Sequence, residues 1–157
     1  MKKVYFYDFS IGSLGIVEKN NSISGIFFNN SNTKGKISKD FEKNETPLIK
    51  KAALQLEEYF NLKRKVFDLP LLIEGTEFQR SVWNSLLTIP YGQTCSYKDI
   101  ASRIGNHKAC RAVGMANNRN PIVIIVPCHR VIGQNGSLTG YGGGLKVKQF
   151  LLEMEKN

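Results

Sequence analysis

At 157 residues and 41% hydrophobic content, the chain can form one domain or two small ones around a packed core. No stretch reaches the roughly 18 apolar residues of a membrane span, and Met1-Lys2-Lys3 runs straight into Val4-Tyr5-Phe6-Tyr7-Asp8, which breaks any signal-peptide core, so a cytoplasmic protein without membrane contacts is expected. Three widely spaced cysteines and two histidines supply neither a disulfide framework nor zinc-ligand spacing, so no metal and no cofactor are expected, while the net charge of +9 is by itself only a weak sign of a polyanionic partner.

From Val4 to Phe28, apolar runs alternate with turn signals at Gly12, Gly15 and Asn20-Asn21, which predicts an antiparallel meander. The polar stretch Asn29 to Asn44 reads as a loop or a marginal strand. Thr46-Pro47 then supplies an N-cap and a first helical residue, and Ala52, Leu56, Tyr59 and Phe60 give the helix an apolar stripe for covering the sheet. Nothing in this region carries chemistry. After Pro70 the texture changes to short helices and loops, which divides the chain into a scaffold at 1–72 and a second domain at 73–157.

In the second part, Thr76 caps a helix whose core residues are Phe78, Val82 and Leu86, thickened by Trp83 and Leu87 and ended by Pro90-Tyr91-Gly92. Ser96 and Asp99 form a capping box ahead of Ile100, Ala101 and Ile104, with Gly105 at the stop. The next helix sets Ala109, Ala112, Val113 and Ala116 on one stripe and leaves Lys108 and Arg111 off it. Short helix, glycine turn and basic helix make a helix-turn-helix pattern, equally compatible with an ordinary helical hairpin until charge is considered. Between Ser96 and Arg130 the bases Lys98, Arg103, Lys108, Arg111, Arg119 and Arg130 face the single acid Asp99, which tips the reading to DNA. Small residues around Arg111 permit close approach to a narrow groove, where the arginine either enters the base stack or contacts a phosphate.

The apolar run Ile122 to Val126 predicts a short buried strand that presents Pro127-Cys128-His129-Arg130-Val131 at its end. A cysteine with a pKa of about 8.5 is largely unreactive at neutral pH without a base or positive potential, both of which His129 and Arg130 offer. Neighbours on an extended chain point to opposite faces, so His129 serves Cys128 only if the chain turns after Pro127. An inert buried cysteine is the alternative on these residues alone. The last helix is expected to bury Val147, Phe150, Leu151 and Met154.

Taken together, Phe78-Gln79 with Val82-Trp83, Ile89-Pro90-Tyr91-Gly92, Ser96-Tyr97, Arg111-Ala112-Val113-Gly114, Asn120-Pro121, the pentapeptide at Cys128, Tyr141-Gly142-Gly143-Gly144-Leu145 and Lys148 resemble the O6-alkylguanine-DNA alkyltransferase family. The resemblance covers Gly75 to Glu155 by motif and the earlier residues only in general pattern. It implies an α/β fold: a small ribonuclease-H-like N-terminal α/β domain followed by an α-helical, winged-helix-like C-terminal domain. It implies a stoichiometric, irreversible transfer of an alkyl group from guanine O6, and from thymine O4, to Cys128. The expected partner is double-stranded DNA containing O6-alkylguanine, bound through the minor groove by a monomer.

The resemblance also assigns roles. Cys128 is the alkyl acceptor, His129 its base through a water, Glu155 the acid that holds His129, and Asn120 a brace for the turn. Tyr97 protonates the leaving base at a ring nitrogen, and Tyr141 lines the pocket. The carbonyls of Cys128 and Val131 accept from the guanine amino group, and the Gly142 N–H donates toward O6. Arg111 is the inserted finger, with Ala112, Tyr97, Ser96 and Arg119 also at the DNA. Gly142 stands where several relatives carry Ser, Cys110 where Ala is frequent, and Asn117 where some have an apolar pocket wall. A lesion binder that does not transfer is disfavoured by Cys128; a DNA-binding regulator with a structural cysteine and a cysteine hydrolase are the other classes.

Overall fold

The alternating runs of the first part become β1 (Lys2–Phe9), β2 (Gly12–Lys19) and β3 (Ser22–Phe28), paired antiparallel in sequence order. Asn20 and Asn21 both take left-handed backbone, φ 52° and 59°, in the two-residue loop between β2 and β3. That handedness matches the twist of the flanking strands. β4 (Phe41–Lys43) adds parallel to β1, so the sheet order is β3-β2-β1-β4. The computed structural model describes residues 1–30, 39–141 and 143–157, so β4 settles part of the polar stretch as strand and its residues 31–38 lie outside the described residues.

α1 (Pro47–Phe60) packs on this sheet, burying Ile49, Ala52, Leu56 and Tyr59, with Phe60 half-buried. Thr46 anchors its start: the hydroxyl accepts from the Ile49 N–H at 3.1 Å and donates to Glu18 Oε1 at 2.6 Å, which satisfies a buried carboxylate on the sheet. These elements make up one compact unit, Met1–Ile73, and Glu74–Asn157 is a second.

In the second unit α2 (Glu77–Leu86), α3 (Tyr97–Arg103) and α4 (Cys110–Asn118) pack on one another. α2 and α3 both open with complete capping boxes, Thr76 with Gln79 and Ser96 with Asp99. Gly105, at φ +78°, ends α3. β5 (Cys95–Ser96) pairs parallel with β6 (Val131–Ile132), and α5 (Leu145–Glu155) closes the unit. Among the described residues no helix is long and apolar enough to cross a membrane.

Four expectations are corrected here. Leu87 is 41% exposed, because α2 stops at Leu86 and the turn that follows gives the buried place to Ile89. Ala112 is exposed beside Arg111, and Asn117 joins Ala109, Val113 and Ala116 on the buried face of α4. α5 buries Lys148, Leu151, Met154 and Glu155, whereas Val147 is half-buried and Phe150 is 43% exposed. The face is rotated because two charged side chains find partners inside. The fourth correction concerns Ile122 to Val126, which is buried throughout but is a tight turn and not a strand.

Candidate active site

The turn that replaces the expected strand is built by Asn120. Its Oδ1 accepts from the Ile122 N–H at 3.0 Å and its Nδ2 donates to the Val126 carbonyl at 2.7 Å. Ile125 N–H and Val126 N–H donate back to the carbonyls of Val123 and Ile122, so the buried loop satisfies its own polar backbone. Within it Ile124 sits at φ 73°, a left-handed conformation that costs a β-branched residue about 1–3 kcal/mol. The strain lies four residues before Cys128, and the surrounding hydrogen bonds hold it in place.

After Pro127 the chain makes one turn of 3-10 helix, Cys128–Arg130, which supplies the turn that the cysteine and histidine need. Cys128 is 4% exposed and His129 fully buried. His129 Nε2 lies 2.7 Å from Glu155 Oε2, and His129 Nδ1 has no protein hydrogen-bond partner. With the carboxylate ionised, Nε2 is the protonated nitrogen and Nδ1 presents its lone pair. Gly92, at φ +81°, passes so close that a Cβ there would stand 3.0 Å from the Glu155 carbonyl oxygen, which seats the end of α5 against the Pro90-Tyr91-Gly92 segment.

Burial sets the resting protonation. It pushes the Cys128 thiol up to about 11, against a hydrogen bond from Asn120 and the positive charge of Lys148. It pushes His129 below its ordinary value, with Glu155 opposing and Arg130 and Lys148 assisting. Burial alone would raise Glu155, but the His129 and Arg130 hydrogen bonds outweigh it and bring the carboxyl down to about 2. The resting site therefore holds a thiol, a neutral imidazole and a carboxylate.

Three residues take parts the sequence did not assign them. Lys148, wholly buried on α5, donates to the Val131 carbonyl at 2.6 Å and the Thr139 carbonyl at 2.7 Å, and its desolvation lowers its pKa to about 8. Its spacing to Leu151 and Glu155 on one helical face was the available signal. Asn117 Nδ2 donates to the Cys128 carbonyl at 3.2 Å. Both carbonyls expected to take the guanine amino group thus already accept protein donors: Cys128 from Asn117 Nδ2 and from the Val131 N–H that closes the 3-10 turn, and Val131 from Lys148. Arg130, counted above among the bases facing a polyanion, is 7% exposed and bonded to Glu155, so it leaves that group.

Tyr97 is half-buried and meets the loop before Tyr141: its hydroxyl donates to the Thr139 carbonyl at 3.2 Å and lies 3.0 Å from Thr139 Oγ1. Tyr141 is half-buried, and Gly142 lies outside the described residues. Ser96 spends its hydroxyl on the Asp99 N–H at 3.0 Å. Arg111, on the first turn of α4, and Arg119, at its end, are exposed and apart from the Cys128 cluster's hydrogen bonds.

Residues 77–157 match the model of the 6-O-methylguanine DNA methyltransferase DNA binding domain, and residues 3–73 match that of the ribonuclease-like domain of the same proteins. The chain belongs to the 6-O-methylguanine DNA methyltransferase family. It is 46% identical over 149 residues to the constitutive methylated-DNA--protein-cysteine methyltransferase of Bacillus subtilis, covering 93% of this chain and 90% of that one. The methylated-DNA--protein-cysteine methyltransferase of Methanosarcina mazei is 54% identical over 132 residues, covering 84% and 83%. A crystal structure of Mycobacterium tuberculosis OGT in complex with DNA superposes with a TM-score of 0.90 at 43% identity, covering 98% of this chain and 92% of that one. The ribonuclease-like first domain and helical DNA-binding second domain expected from the sequence are both present.

Proposed function

We propose that this chain repairs alkylated DNA by moving the alkyl group from guanine O6 to Cys128, once per molecule. The observation that carries the reading is the buried Cys128 on a 3-10 turn next to His129, with Glu155 on one imidazole nitrogen and the other buried without a protein hydrogen-bond partner. The exposed face of α4, with Arg111 among small residues, enters the minor groove of a duplex as a monomer, and Arg111 fills the gap left by the extruded base. Ala112 lies against the groove, while Tyr97, Ser96 and Arg119 flank it.

In the pocket, the Cys128 proton passes to His129 Nδ1 through a water. The sulfur attacks the alkyl carbon, a C–S bond forms, and the C–O6 bond breaks with its electron pair going to guanine. Tyr97 donates a proton to the guanine ring nitrogen, so the base leaves neutral. The carbonyls of Cys128 and Val131 take the guanine amino group, Tyr141 lines the pocket, and the role of donor to O6 falls to the Gly142 N–H. Alkylated thymine O4 follows the same course. The thioether has no hydrolytic route back, which makes the protein a reagent consumed by use. Three unpaired cysteines fit the reducing conditions of a cytoplasm.

Intact and peptide mass spectrometry after mixing with a duplex carrying one O6-methylguanine tests this. One added methyl on the Cys128 peptide, saturating at one lesion per protein and absent in Cys128→Ser, is expected. Tight binding by reduced, folded protein with no mass change would mean a lesion binder that does not transfer.

A further inference from the structure

The guanidinium of Arg130 is spent entirely inside the fold. Its Nε donates to Glu155 Oε1 at 2.8 Å and one terminal nitrogen to Glu155 Oε2 at 3.0 Å. The other terminal nitrogen donates to the Ile89 carbonyl at 2.7 Å, and the group stands 5.8 Å from the centre of the Tyr91 ring. Glu155 is 3% exposed, and its Oε2 also faces His129 Nε2 at 2.7 Å. One carboxylate therefore serves two cationic or potentially cationic partners, and the planar fork meets both of its oxygens.

A buried carboxylate bonded to histidine alone would do two things together. It would fix the ring and its tautomer, and it would favour the imidazolium, which cannot take a proton from a thiol. The reaction needs the first effect without the second. We propose that Arg130 is a positioning residue for the alkyl transfer: by engaging both oxygens of Glu155 it offsets the carboxylate charge, so that Glu155 orients His129 without holding it as an imidazolium. This rests on the reading of His129 as the base for Cys128.

The charged and titratable groups around the ring are Glu155 and Lys148 on α5, and Cys128 and Arg130 on the 3-10 turn, with Tyr91 behind the guanidinium. Glu155 favours the imidazolium, while burial and the two cations oppose it. Of the two, Arg130 bonds both oxygens of the carboxylate, and Lys148 donates to the Val131 and Thr139 carbonyls. Removing Arg130 both releases a negative charge toward His129 and takes away a positive one.

The experiment is an NMR titration of ring-labelled histidine in the whole protein, with exposed His107 as the internal reference. In the unaltered protein His129 should be the neutral Nε2–H tautomer at pH 7; an imidazolium there overturns the proposal. In Arg130→Met, and to a smaller extent in Arg130→Lys, which keeps the charge but loses the fork, the His129 midpoint should move up by about one pH unit or more. The acid limb of the rate with free O6-benzylguanine should move with it, lowering the rate on that limb about tenfold per unit. Folded Arg130→Lys protein with an unmoved His129 midpoint rejects the role, and merely lowered stability does not reproduce the shift. His129→Gln separates the underlying reading: full transfer by that variant would dismiss His129 as the base, whatever Arg130 does to its titration.

Discussion

At the scale of single residues, the site depends on side chains whose value comes from where they are buried. Asn120 before Pro121 reads in sequence as a turn former, and only the family motif distinguishes it. In the fold its two amide atoms close the loop that carries Cys128. Glu155 would read as a surface acid on any composition argument, yet it is 3% exposed beneath Arg130 and His129. Such partners were illegible because they come from positions 25 and 26 residues away, beyond any local pattern. The two buried groups predict a staged loss of stability in acid. His129 is held below its ordinary 6.5, so below that pH the unfolded chain takes up a proton the folded one refuses, and stability falls. Glu155 is held near 2 against an ordinary 4.5, so its contribution is complete above 4.5 and is lost as pH falls toward 2. Urea midpoints measured across this range should show both stages, and His129→Gln should lack the first.

At the scale of elements, helix starts were the most legible features. Thr46, Thr76 and Ser96 all cap the helices they announce, because capping is a local bond between neighbours in sequence. Faces were less legible. The buried side of α5 carries Lys148 and Glu155, polar residues that a hydrophobicity pattern assigns to water, so the predicted stripe was displaced toward Phe150. The run Ile122 to Val126 shows the same limit from the other side, since an apolar composition says buried but does not say extended. α4 presents Arg111 with little bulk around it, which predicts a substrate-dependent defect. Arg111→Ala should slow methyl transfer from a duplex by at least about tenfold while changing the reaction with free O6-benzylguanine by less than about twofold, because only the duplex demands unstacking. Equal losses in the two assays would remove the finger role.

At the scale of the whole molecule, the base-rich window from Ser96 to Arg130 pointed to a polyanion more than the net charge of +9 did, and the matched DNA-binding domain at residues 77–157 agrees with it. The architecture was legible because long-range motifs and local patterns agreed, from the meander of β1 to β3 to the capped helices of the second unit. What charge counting could not do was separate cations that face solvent from one that faces a carboxylate. Lys98, Arg111 and Arg119 are exposed, whereas Arg130 is internal. Duplex affinity should therefore fall steeply with salt and vary little with sequence. Lys98→Ala and Arg119→Ala should each flatten the plot of log affinity against log salt by about one unit of slope. An affinity insensitive to salt would exclude phosphate contacts as its source.

The tightness of the turn at Cys128 has a consequence for the life of the molecule. A sulfur that is 4% exposed, on a turn pinned by Asn117 at its carbonyl and by the buried loop before it, has little room to grow. Adding even one carbon there overfills a packed interior, at a cost of about 1–3 kcal/mol. For a chain of this size that corresponds to a melting temperature lower by several degrees, about 2–4 °C for each kcal/mol, which calorimetry of fresh and fully methylated protein can read directly. An unchanged melting temperature would mean that the pocket accommodates the product freely. Otherwise each repair event leaves its own physical signature: the used copy is softer than the unused one, and proteases can tell the two apart without any dedicated label.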